Sequence, residues 1–445
     1  MLKTFPIGGI HPSESKISRE CPIQDLPLPA TVTIPLSQHI GTPAEALVVK
    51  GQRVRTGELI GKSTGFVSSN IHSSVTGVVT AVESYLDPSG VRRPGVTIAV
   101  EPDQWAEGID VGDAIVRECT LSPAEIVAKV AAAGVVGMGG ATFPTHVKLS
   151  VPAGRKAEFL LINGVECEPY LTDDYRVMLE RGEELLIGIR ILARALGAER
   201  VMVGIENNKP EAVASLRQLA EATGGGVEIV PLKVRYPQGS EKHLIAALTG
   251  RQVPSGGLPI DVGAIVQNVG TALAVYDAVQ KNKPLIERVV TVTGRSLARQ
   301  ANLRVRIGTS VSALLDYCGG LPADTGKVIA GGPMMGRAMA NLDAPVVKGM
   351  SSVLVMPESL SRRLPQEQCI RCGKCVSVCP MGLEPYLLAK VSQKALWEEA
   401  EAHHAPDCIE CGSCSWQCPS ALPLLDYIRL GKAEVIRMVR SRKSR

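Results

Sequence analysis

The chain has 445 residues, and its 45% hydrophobic and 21% charged residues can build sizeable cores in roughly three domains. Its formal net charge of +4 is too small for this length to indicate a nucleic-acid binder. Apolar runs stay short of the ~18 residues of a membrane span, and the first residues do not form a secretory signal. We therefore expect a cytoplasmic protein that meets a membrane only through partner subunits or its surface.

Residues 30–100 contain short runs of β-type residues separated by glycine. The runs at 49–61 and 71–79 resemble those of a barrel–sandwich hybrid of the biotinyl or lipoyl type. The tip of such a domain carries an attachment lysine, and the corresponding stretch, residues 65–70, has none. We therefore expect a packing or docking module rather than a swinging arm.

Residues 121–290 alternate helix and strand signals. Ser122 and Glu125 form a capping box, Pro123 takes the first helical position, and Gly134 ends the helix. Further strands are predicted at 158–163, 200–205 and 227–230, with a long amphipathic helix at 174–196 and another helix starting at 210. This alternation predicts a doubly wound, Rossmann-like parallel sheet, whose ligands bind beyond the carboxyl ends of the strands.

Four polar or glycine-rich segments interrupt this region. They read GMGGATFPT at 137–145, NGVECEP at 163–169, YPQGSEK at 236–242 and QNVGT at 267–271. Glycines permit close approach of the backbone to a phosphate or a flat ring, and exposed N–H groups favour an anion. Lys148, just beyond the first segment, can meet a phosphate as a point charge. Alone, the first segment could equally be a bare turn, because it is not G-x-G-x-x-G.

Residues 288–355 return to short strands, predicted at 289–292, 303–307 and 327–329, with one short helix at 311–317. This pattern is typical of a small β-grasp module of the soluble-ligand-binding (SLBB) type. We expect it to serve as a structural spacer.

Eight of the twelve cysteines form two copies of the run C-x₂-C-x₂-C-x₃-C-P. Two-residue gaps let three thiolates converge from one loop, and in two-cluster ferredoxins the fourth comes from the other run. The sequence therefore predicts two [4Fe–4S] clusters, with zinc knuckles as the alternative. Cluster 1 would be held by Cys369, Cys372, Cys375 and Cys418. Cluster 2 would be held by Cys408, Cys411, Cys414 and Cys379.

The four nucleotide-type segments resemble the FMN- and NADH-binding segments of the flavoprotein subunit of respiratory complex I. Together with GGIHP at 8–12, QHIG at 38–41, GGPMMG at 331–336 and the doubled cysteine run, the whole chain resembles the C subunits of Rnf ferredoxin:NAD⁺ oxidoreductase complexes. The resemblance implies noncovalent FMN, NADH as substrate, and electron transfer to or from a ferredoxin-like B subunit. It also implies a peripheral position at the cytoplasmic face of the cell membrane, beside integral-membrane subunits that translocate ions.

The resemblance assigns site residues one by one. The FMN would be contacted by Gly137, Gly139, Gly140, Ala141, Lys148, Asn163, Glu166, Tyr236, Gly239, Glu241, Asn268 and Thr271. NADH would be contacted by Phe143 and Glu168. No side chain is expected to act as a catalytic acid or base, because the flavin performs the chemistry.

The site departs from the complex I pattern at four positions. Met138 replaces an arginine, and Val165, Ser240 and Gly270 replace acidic residues. The site is therefore less charged than in complex I, which leaves open which carboxylate meets the nicotinamide or ribose.

These patterns predict a multidomain α/β protein with five segments. They are an N-terminal domain with the barrel module (1–115), an FMN- and NADH-binding domain (116–287), an SLBB module (288–357), a ferredoxin-like α domain (358–430) and a basic tail (431–445). The tail should be helical, and its basic end is either disordered or in contact with anionic lipid or a partner.

Two other functions stay open on the sequence alone. A microcompartment cobalamin reductase shares the flavin loop and the cluster domain, although the GGIHP start and the barrel module argue against it. A flavin-free electron-relay scaffold is the other alternative, and a visible absorption spectrum would separate it from a flavoprotein.

Overall fold

The computed structural model describes the backbone of residues 2–443. The N-terminal segment contributes one short strand, β1 (Ile23–Asp25), before the barrel module begins. The barrel has two antiparallel sheets with orders β2-β8-β7-β4 and β3-β5-β6, which share one apolar core. Its strands are β2 (Thr31–Pro35), β3 (Glu45–Ala46), β4 (Arg53–Val54), β5 (Leu59–Lys62), β6 (Ile71–His72), β7 (Gly77–Leu86) and β8 (Arg92–Val100).

The barrel module packs onto the next domain through its tip. Asn70 donates from its side chain to the carbonyl of Ala132 at 3.2 Å. The carbonyls of Asn70 and Gly134 both accept hydrogen bonds from the buried ammonium group of Lys348, at 2.9 and 2.7 Å. One lysine thus joins three modules, and the tip takes part in docking.

The central domain has a four-stranded, fully parallel sheet with order β11-β10-β9-β12, as the alternating pattern predicts. Its strands are β9 (Phe159–Asn163), β10 (Arg200–Glu206), β11 (Glu228–Leu232) and β12 (Ala264–Asn268). Its helices are α1 (Pro123–Ala132), α2 (Thr145–Leu149), α3 (Asp173–Glu180), α4 (Gly182–Leu196), α5 (Pro210–Ala222), α6 (Glu241–Thr249) and α7 (Val269–Gln280), with a 3₁₀ turn at Pro259–Val262.

The single helix predicted over 174–196 is wrong, because the chain forms two helices that meet at Arg181. Arg181 leaves the helical conformation at φ −125° and ψ 29°. A Cβ on Gly182 would lie 2.8 Å from the side-chain end of Leu219, so the glycine permits close packing onto α5. Glycine is a poor helix residue, and it stands where the helix breaks. The capping box of Ser122 and Glu125 is confirmed.

The SLBB module forms a six-stranded sheet with order β1-β14-β13-β17-β15-β16. The short strand β1 pairs in parallel with β14, so the N-terminal segment extends this sheet rather than the barrel. The helix predicted at 311–317 is confirmed. The elements are β13 (Glu287–Thr293), β14 (Ala301–Arg306), α8 (Val311–Tyr317), β15 (Thr325–Ala330), β16 (Arg337–Ala338) and β17 (Ser352–Pro357).

The C-terminal domain is helical and closes with the 20-residue helix α14. This helix runs across residue 430, and Val435 in its second half is buried in the domain core with Leu388 and Ile428. The predicted tail is thus a helix as far as the description extends; residues 444 and 445 lie outside the described part. The elements are α9 (Glu358–Ser361), α10 (Lys374–Ser377), α11 (Pro385–Gln393), α12 (Trp397–Ala402), a 3₁₀ turn at Ala405–Asp407, α13 (Ser413–Gln417) and α14 (Leu424–Lys443).

Within residues 2–443, none of the helices combines the length and the apolar character needed to cross a bilayer.

Candidate functional site

The four nucleotide-type segments meet at the carboxyl end of the parallel sheet. Strands β9 and β12 end in register at Asn163 and Asn268. The side-chain amide of Asn163 donates to the carbonyl of Gly239 at 2.7 Å, which joins the second segment to the third. A Cβ on Gly139 would lie 3.0 Å from that of Asn268, so the first segment touches the fourth. The structure therefore brings together segments that are distant along the chain.

Two side chains, those of Thr271 and Lys148, strengthen this convergence. The hydroxyl of Thr271 accepts a hydrogen bond from the Met138 backbone at 2.9 Å. The ammonium group of Lys148 donates to Glu241 at 2.7 Å and to the carbonyl of Val266 at 3.1 Å. Lys148 is partly exposed and lies just after the glycine loop in the chain. It is ion-paired with Glu241, so a bound phosphate would compete with that carboxylate for its ammonium group.

The glycine loop leaves space for a bound molecule. It is closed by a hydrogen bond from the Gly137 N–H to the Phe143 carbonyl at 2.9 Å. Gly139, Gly140 and Ala141 are exposed at its turn. Gly140 has φ +148°, and a Cβ there would have no atom within 4 Å. An open cradle flanked by backbone amides and a lysine fits a flavin phosphate and ring.

Asn268 and Glu166 use their side chains mainly to cap helices. Asn268 accepts hydrogen bonds from the N–H groups of Gly270 and Thr271 at the start of α7, at 2.8 and 3.3 Å. Glu166 accepts from the N–H groups of Asp174 and Tyr175 at the start of α3, at 2.9 and 3.3 Å. Both residues therefore hold the loops of the site in place.

The sequence patterns missed Lys16, which positions the second segment. Its ammonium group donates to the carbonyls of Glu166, Glu168 and Leu171 at 2.8, 2.9 and 2.7 Å. One side chain thus satisfies three backbone acceptors of this loop. Lys16 carries no local motif, and nothing in its neighbourhood along the chain could have identified it.

Glu168 and Tyr236 lie where the central, SLBB and C-terminal domains meet. The carboxylate of Glu168 accepts from the N–H groups of Met334 and Met335 at 3.0 and 2.8 Å. Burial raises the pKa of Glu168 to about 7. The hydroxyl of Tyr236 lies 3.5 Å from Glu168 and donates to the Cys411 carbonyl at 2.8 Å. The third nucleotide-type segment thus contacts the cysteine domain directly.

The N-terminal GGIHP segment fastens this junction. The Gly9 N–H donates to the Val378 carbonyl at 2.8 Å, and Ile10 exchanges two 2.9 Å hydrogen bonds with Tyr236. A Cβ on Gly8 would lie 2.5 Å from the backbone of Cys379, so only glycine fits. The segment therefore ties Tyr236 to the backbone around Cys379, the last cysteine of the first run.

Four cysteines line one cavity beside this junction, together with Pro380, Leu388 and Ile428. They come from both runs and are Cys379, Cys408, Cys411 and Cys414. Burial raises the pKa of Cys408 to about 11 and that of Cys414 to about 12. Among residues 2–443, no three His, Cys, Asp or Glu side chains converge tightly enough for a single metal ion. Four thiols around one cavity are the donor set of an iron–sulfur cubane.

The other four cysteines of the two runs lie nearer the surface. Cys369 and Cys372 are exposed, and Cys375 and Cys418 are partly buried. The Glu367 N–H donates to the Ser420 carbonyl at 3.0 Å. The Ser420 hydroxyl donates to the Gln368 carbonyl, also at 3.0 Å. The start of the first run is thus held beside Cys418 of the second run.

Comparison with domain families covers most of the chain. The RnfC barrel sandwich hybrid domain matches residues 3–104, and the Nuo51 FMN-binding domain matches 130–277. The SLBB domain matches 289–338, and the 4Fe-4S dicluster domain matches 363–419. Fold and site thus define a flavin- and iron–sulfur-containing electron-transfer protein. The predicted fold class and the cofactors, FMN and two [4Fe–4S] clusters, are confirmed.

Three relatives match over most of their length. The C subunit of the proton-translocating ferredoxin:NAD⁺ oxidoreductase complex of Clostridium ljungdahlii is 46% identical, over 98% of this chain and 94% of that protein. Its counterpart in the Na⁺-translocating complex of Acetobacterium woodii is 42% identical, over 96% of each. The C subunit of the ion-translocating oxidoreductase complex of Rhodobacter capsulatus is 45% identical, over 87% of this chain and 75% of that protein. The chain belongs to this family, the C subunits of Rnf-type complexes.

A solved structure shares the fold. A chain of an NAD⁺-reducing [NiFe]-hydrogenase superposes with a TM-score of 0.51 at 20% identity, over 71% of this chain and 63% of that one. The family matches include the barrel module, which is the feature that argued against a cobalamin reductase. The FMN-binding domain match likewise disfavours the flavin-free scaffold.

Proposed function

We propose that this chain exchanges hydride between NAD(H) and FMN and relays single electrons through two [4Fe–4S] clusters to or from a partner subunit. FMN, when bound, takes up a hydride and passes electrons on one at a time, chemistry that side chains do not supply. The observation that carries the proposal is the position of Tyr236 between the two domains. Its segment joins the nucleotide site at the sheet end, and its hydroxyl donates to the Cys411 carbonyl in the other domain.

The chain's own residues would bind and orient the flavin. The backbone of Gly137, Gly139, Gly140 and Ala141 leaves room for it, and Lys148 offers a cation near its phosphate. Asn163, Glu166, Tyr236, Gly239, Glu241, Asn268 and Thr271 would complete the site. Several of these residues act by holding loops, as the helix-capping bonds of Asn268 and Glu166 indicate.

Phe143 and Glu168 are proposed for the NADH side. Phe143 lies at the closure of the glycine loop, where an aromatic ring can stack on a dinucleotide. Glu168 already accepts hydrogen bonds from Met334 and Met335, so contact with NADH requires that these bonds be shared.

The burial of the cysteines supports an order for the clusters. Cys411 shares an apolar group with Ile10 and Tyr236, so cluster 2 would be the one next to the flavin domain. Cys369 and Cys372 are exposed, so cluster 1 would face a partner. We also propose that each cluster takes one ligand from the other run. Cluster 1 would be bound by Cys369, Cys372, Cys375 and Cys418, and cluster 2 by Cys408, Cys411, Cys414 and Cys379.

The relatives are named as subunits of translocating complexes, which supports a proposal about the placement in the cell. We infer a peripheral position at the cytoplasmic face of the membrane, with the ferredoxin-like B subunit as electron partner. If protein contacts and charge alone hold the chain there, high-salt washes should release it without detergent, because salt screens exposed ionic contacts. Retention after salt and chaotrope washes would contradict this placement.

One preparation tests the proposed function. Anaerobically purified protein should contain FMN and about eight irons and eight sulfides per chain. It should reduce menadione with NADH as donor. Absence of flavin with both clusters present would favour the flavin-free relay scaffold. Bound zinc without labile sulfide would contradict the proposal.

A further inference from the structure

The two cysteine runs form loops with the same backbone shape. Arg371 and Glu410, at equivalent positions, have φ +54° and +58°. Gly373 and Gly412, also equivalent, have φ +72° and +77°. Each loop can therefore be compared with the other, position by position.

The loop of the second run is an interface inside the molecule. Ile409 packs with Ile10 and Tyr236. A Cβ on Gly412 would lie 3.1 Å from the carbonyl of Met334. Ser413 is fully buried. This face of the loop is where the cysteine domain meets the rest of the chain.

The loop of the first run, residues 369–375, presents the same face to solvent. Ile370, the counterpart of Ile409, is 68% exposed. A Cβ on Gly373 would meet no atom within 4 Å. Lys374 stands exposed where the second run has buried Ser413. A single exposed isoleucine is ordinary on a protein surface. Here the equivalent residue of the second run, Ile409, is an interface residue, and this correspondence indicates a second, external interface at Ile370.

The charged side chains around this loop indicate the charge of the partner's surface. Between residues 362 and 374 the exposed charged side chains are four basic residues and one acidic residue, Glu367. Arg363 is paired with Asp426 at 2.6 Å, so three basic side chains, Arg362, Arg371 and Lys374, stand against Glu367. The second run has Glu410 where the first has Arg371, and Glu410 is neutralised by Arg429 and Lys432 at 3.0 Å each. A basic rim around an apolar centre complements an acidic surface.

We propose that the 369–375 loop is the docking surface for a small electron-transfer protein with an acidic face, with Ile370 at its centre and Arg371 and Lys374 on its rim. The inference rests on the proposed function, because it assumes that electrons leave or arrive through cluster 1. Only an electron crosses this interface, and no bond forms or breaks there.

The test uses the holoprotein and an acidic bacterial 2[4Fe–4S] ferredoxin as probe. Two electrons from reduced ferredoxin and one proton convert NAD⁺ to NADH, which is followed by its absorbance. The variant carries Arg371→Glu and Lys374→Ser, the residues that the second run holds at these positions. The control carries Arg92→Glu and Lys50→Ser, the same charge change on exposed positions of the barrel.

The wild-type rate should fall as salt rises, because steering by charge is screened. At low salt the loop variant should be slower by about tenfold and should lose much of its salt dependence, whereas the control should resemble wild type. Ile370→Ala should slow the reaction at every salt concentration. NADH–menadione activity reports separately on the proposed function.

Two results would overturn the docking surface while NADH–menadione activity persists. One is a loop variant that matches the control with ferredoxin. The other, which needs no variant, is a wild-type rate that is indifferent to salt or increases with it.

Discussion

The hydroxyl of Tyr236 donates a 2.8 Å hydrogen bond to the backbone carbonyl of Cys411. Tyr236 belongs to the proposed nucleotide site at the end of the parallel sheet, and Cys411 to the cavity lined by four thiols. Burial raises the pKa of Tyr236 well above its usual value, so the hydroxyl stays protonated and donating across the neutral range. The proposed flavin site and cluster 2 would thus be linked directly by this side chain.

Tyr236→Phe should loosen this junction but keep the aromatic ring of residue 236 at the proposed flavin site. Loss of the donor leaves a buried carbonyl without its partner, which costs about 1–3 kcal/mol. We expect normal FMN content but slower reduction of the clusters by NADH, measured by anaerobic stopped-flow absorbance. Tyr276→Phe is the control, since its hydroxyl accepts a hydrogen bond from Val116, far from this junction. Equal cluster reduction in wild type and Tyr236→Phe would show that this contact is unimportant for electron transfer.

The crossed ligand sets predict reciprocal damage from two cysteine changes. Cys379→Ala should disturb the cluster of Cys408, Cys411 and Cys414, whose cavity Cys379 lines. Cys418→Ala should instead disturb the cluster at the surface. Each variant should lose up to about half of its eight irons, and EPR spectra should show which cluster signal persists. If each variant affected only the cluster of its own run, the crossed assignment would be wrong.

Glu168→Gln tests whether this carboxylate also serves NADH. A charge-assisted hydrogen bond is worth about 1.5–3 kcal/mol, so its loss should lower NADH-dependent menadione reduction roughly tenfold to hundredfold, mainly through KM. FMN and iron contents should stay normal. Glu199→Gln, exposed at the opposite end of the sheet, is the control. An unchanged KM together with lost iron would assign Glu168 to the domain junction alone.

Lys348 predicts a pH dependence of stability. Burial lowers its pKa from 10.5 to about 7, so between these values the unfolded chain binds more protons than the folded one. The contribution of Lys348 to the free energy of unfolding should therefore increase as pH rises from about 7 towards 10.5. Lys348→Met should remove this part of the pH dependence, measured as thermal midpoints at several pH values. Parallel pH profiles for wild type and variant would contradict it.

Local patterns predicted most of the fold but not the contacts that assemble the site. Capping and periodicity identified α1 and the parallel strands, because these signals act within a few residues. The break at Arg181 escaped prediction because the apolar periodicity continues across it, and the close packing of Gly182 on Leu219 is a tertiary contact. Lys16 escaped because a single lysine serving three carbonyls of a distant loop has no sequence period. Glycine motifs indicated the proposed flavin loop. Its closeness to Asn268 could not be predicted, because it depends on the register between β9 and β12.

Gly140→Val should abolish flavin binding, and with it NADH–menadione activity. Gly140 has φ +148° and an open space where its Cβ would point, so a branched side chain would both strain the loop and fill the cradle. Gly225→Val is the matched control, because Gly225 has φ +70°, equally open surroundings, and a position just before the amino end of β11. Valine should strain the backbone at Gly225 too, because its φ is positive, yet this variant should retain FMN. Iron content should be normal in both variants, since the cysteine domain is untouched. Full FMN and full activity in Gly140→Val would make the loop a structural turn and move the nucleotide site elsewhere.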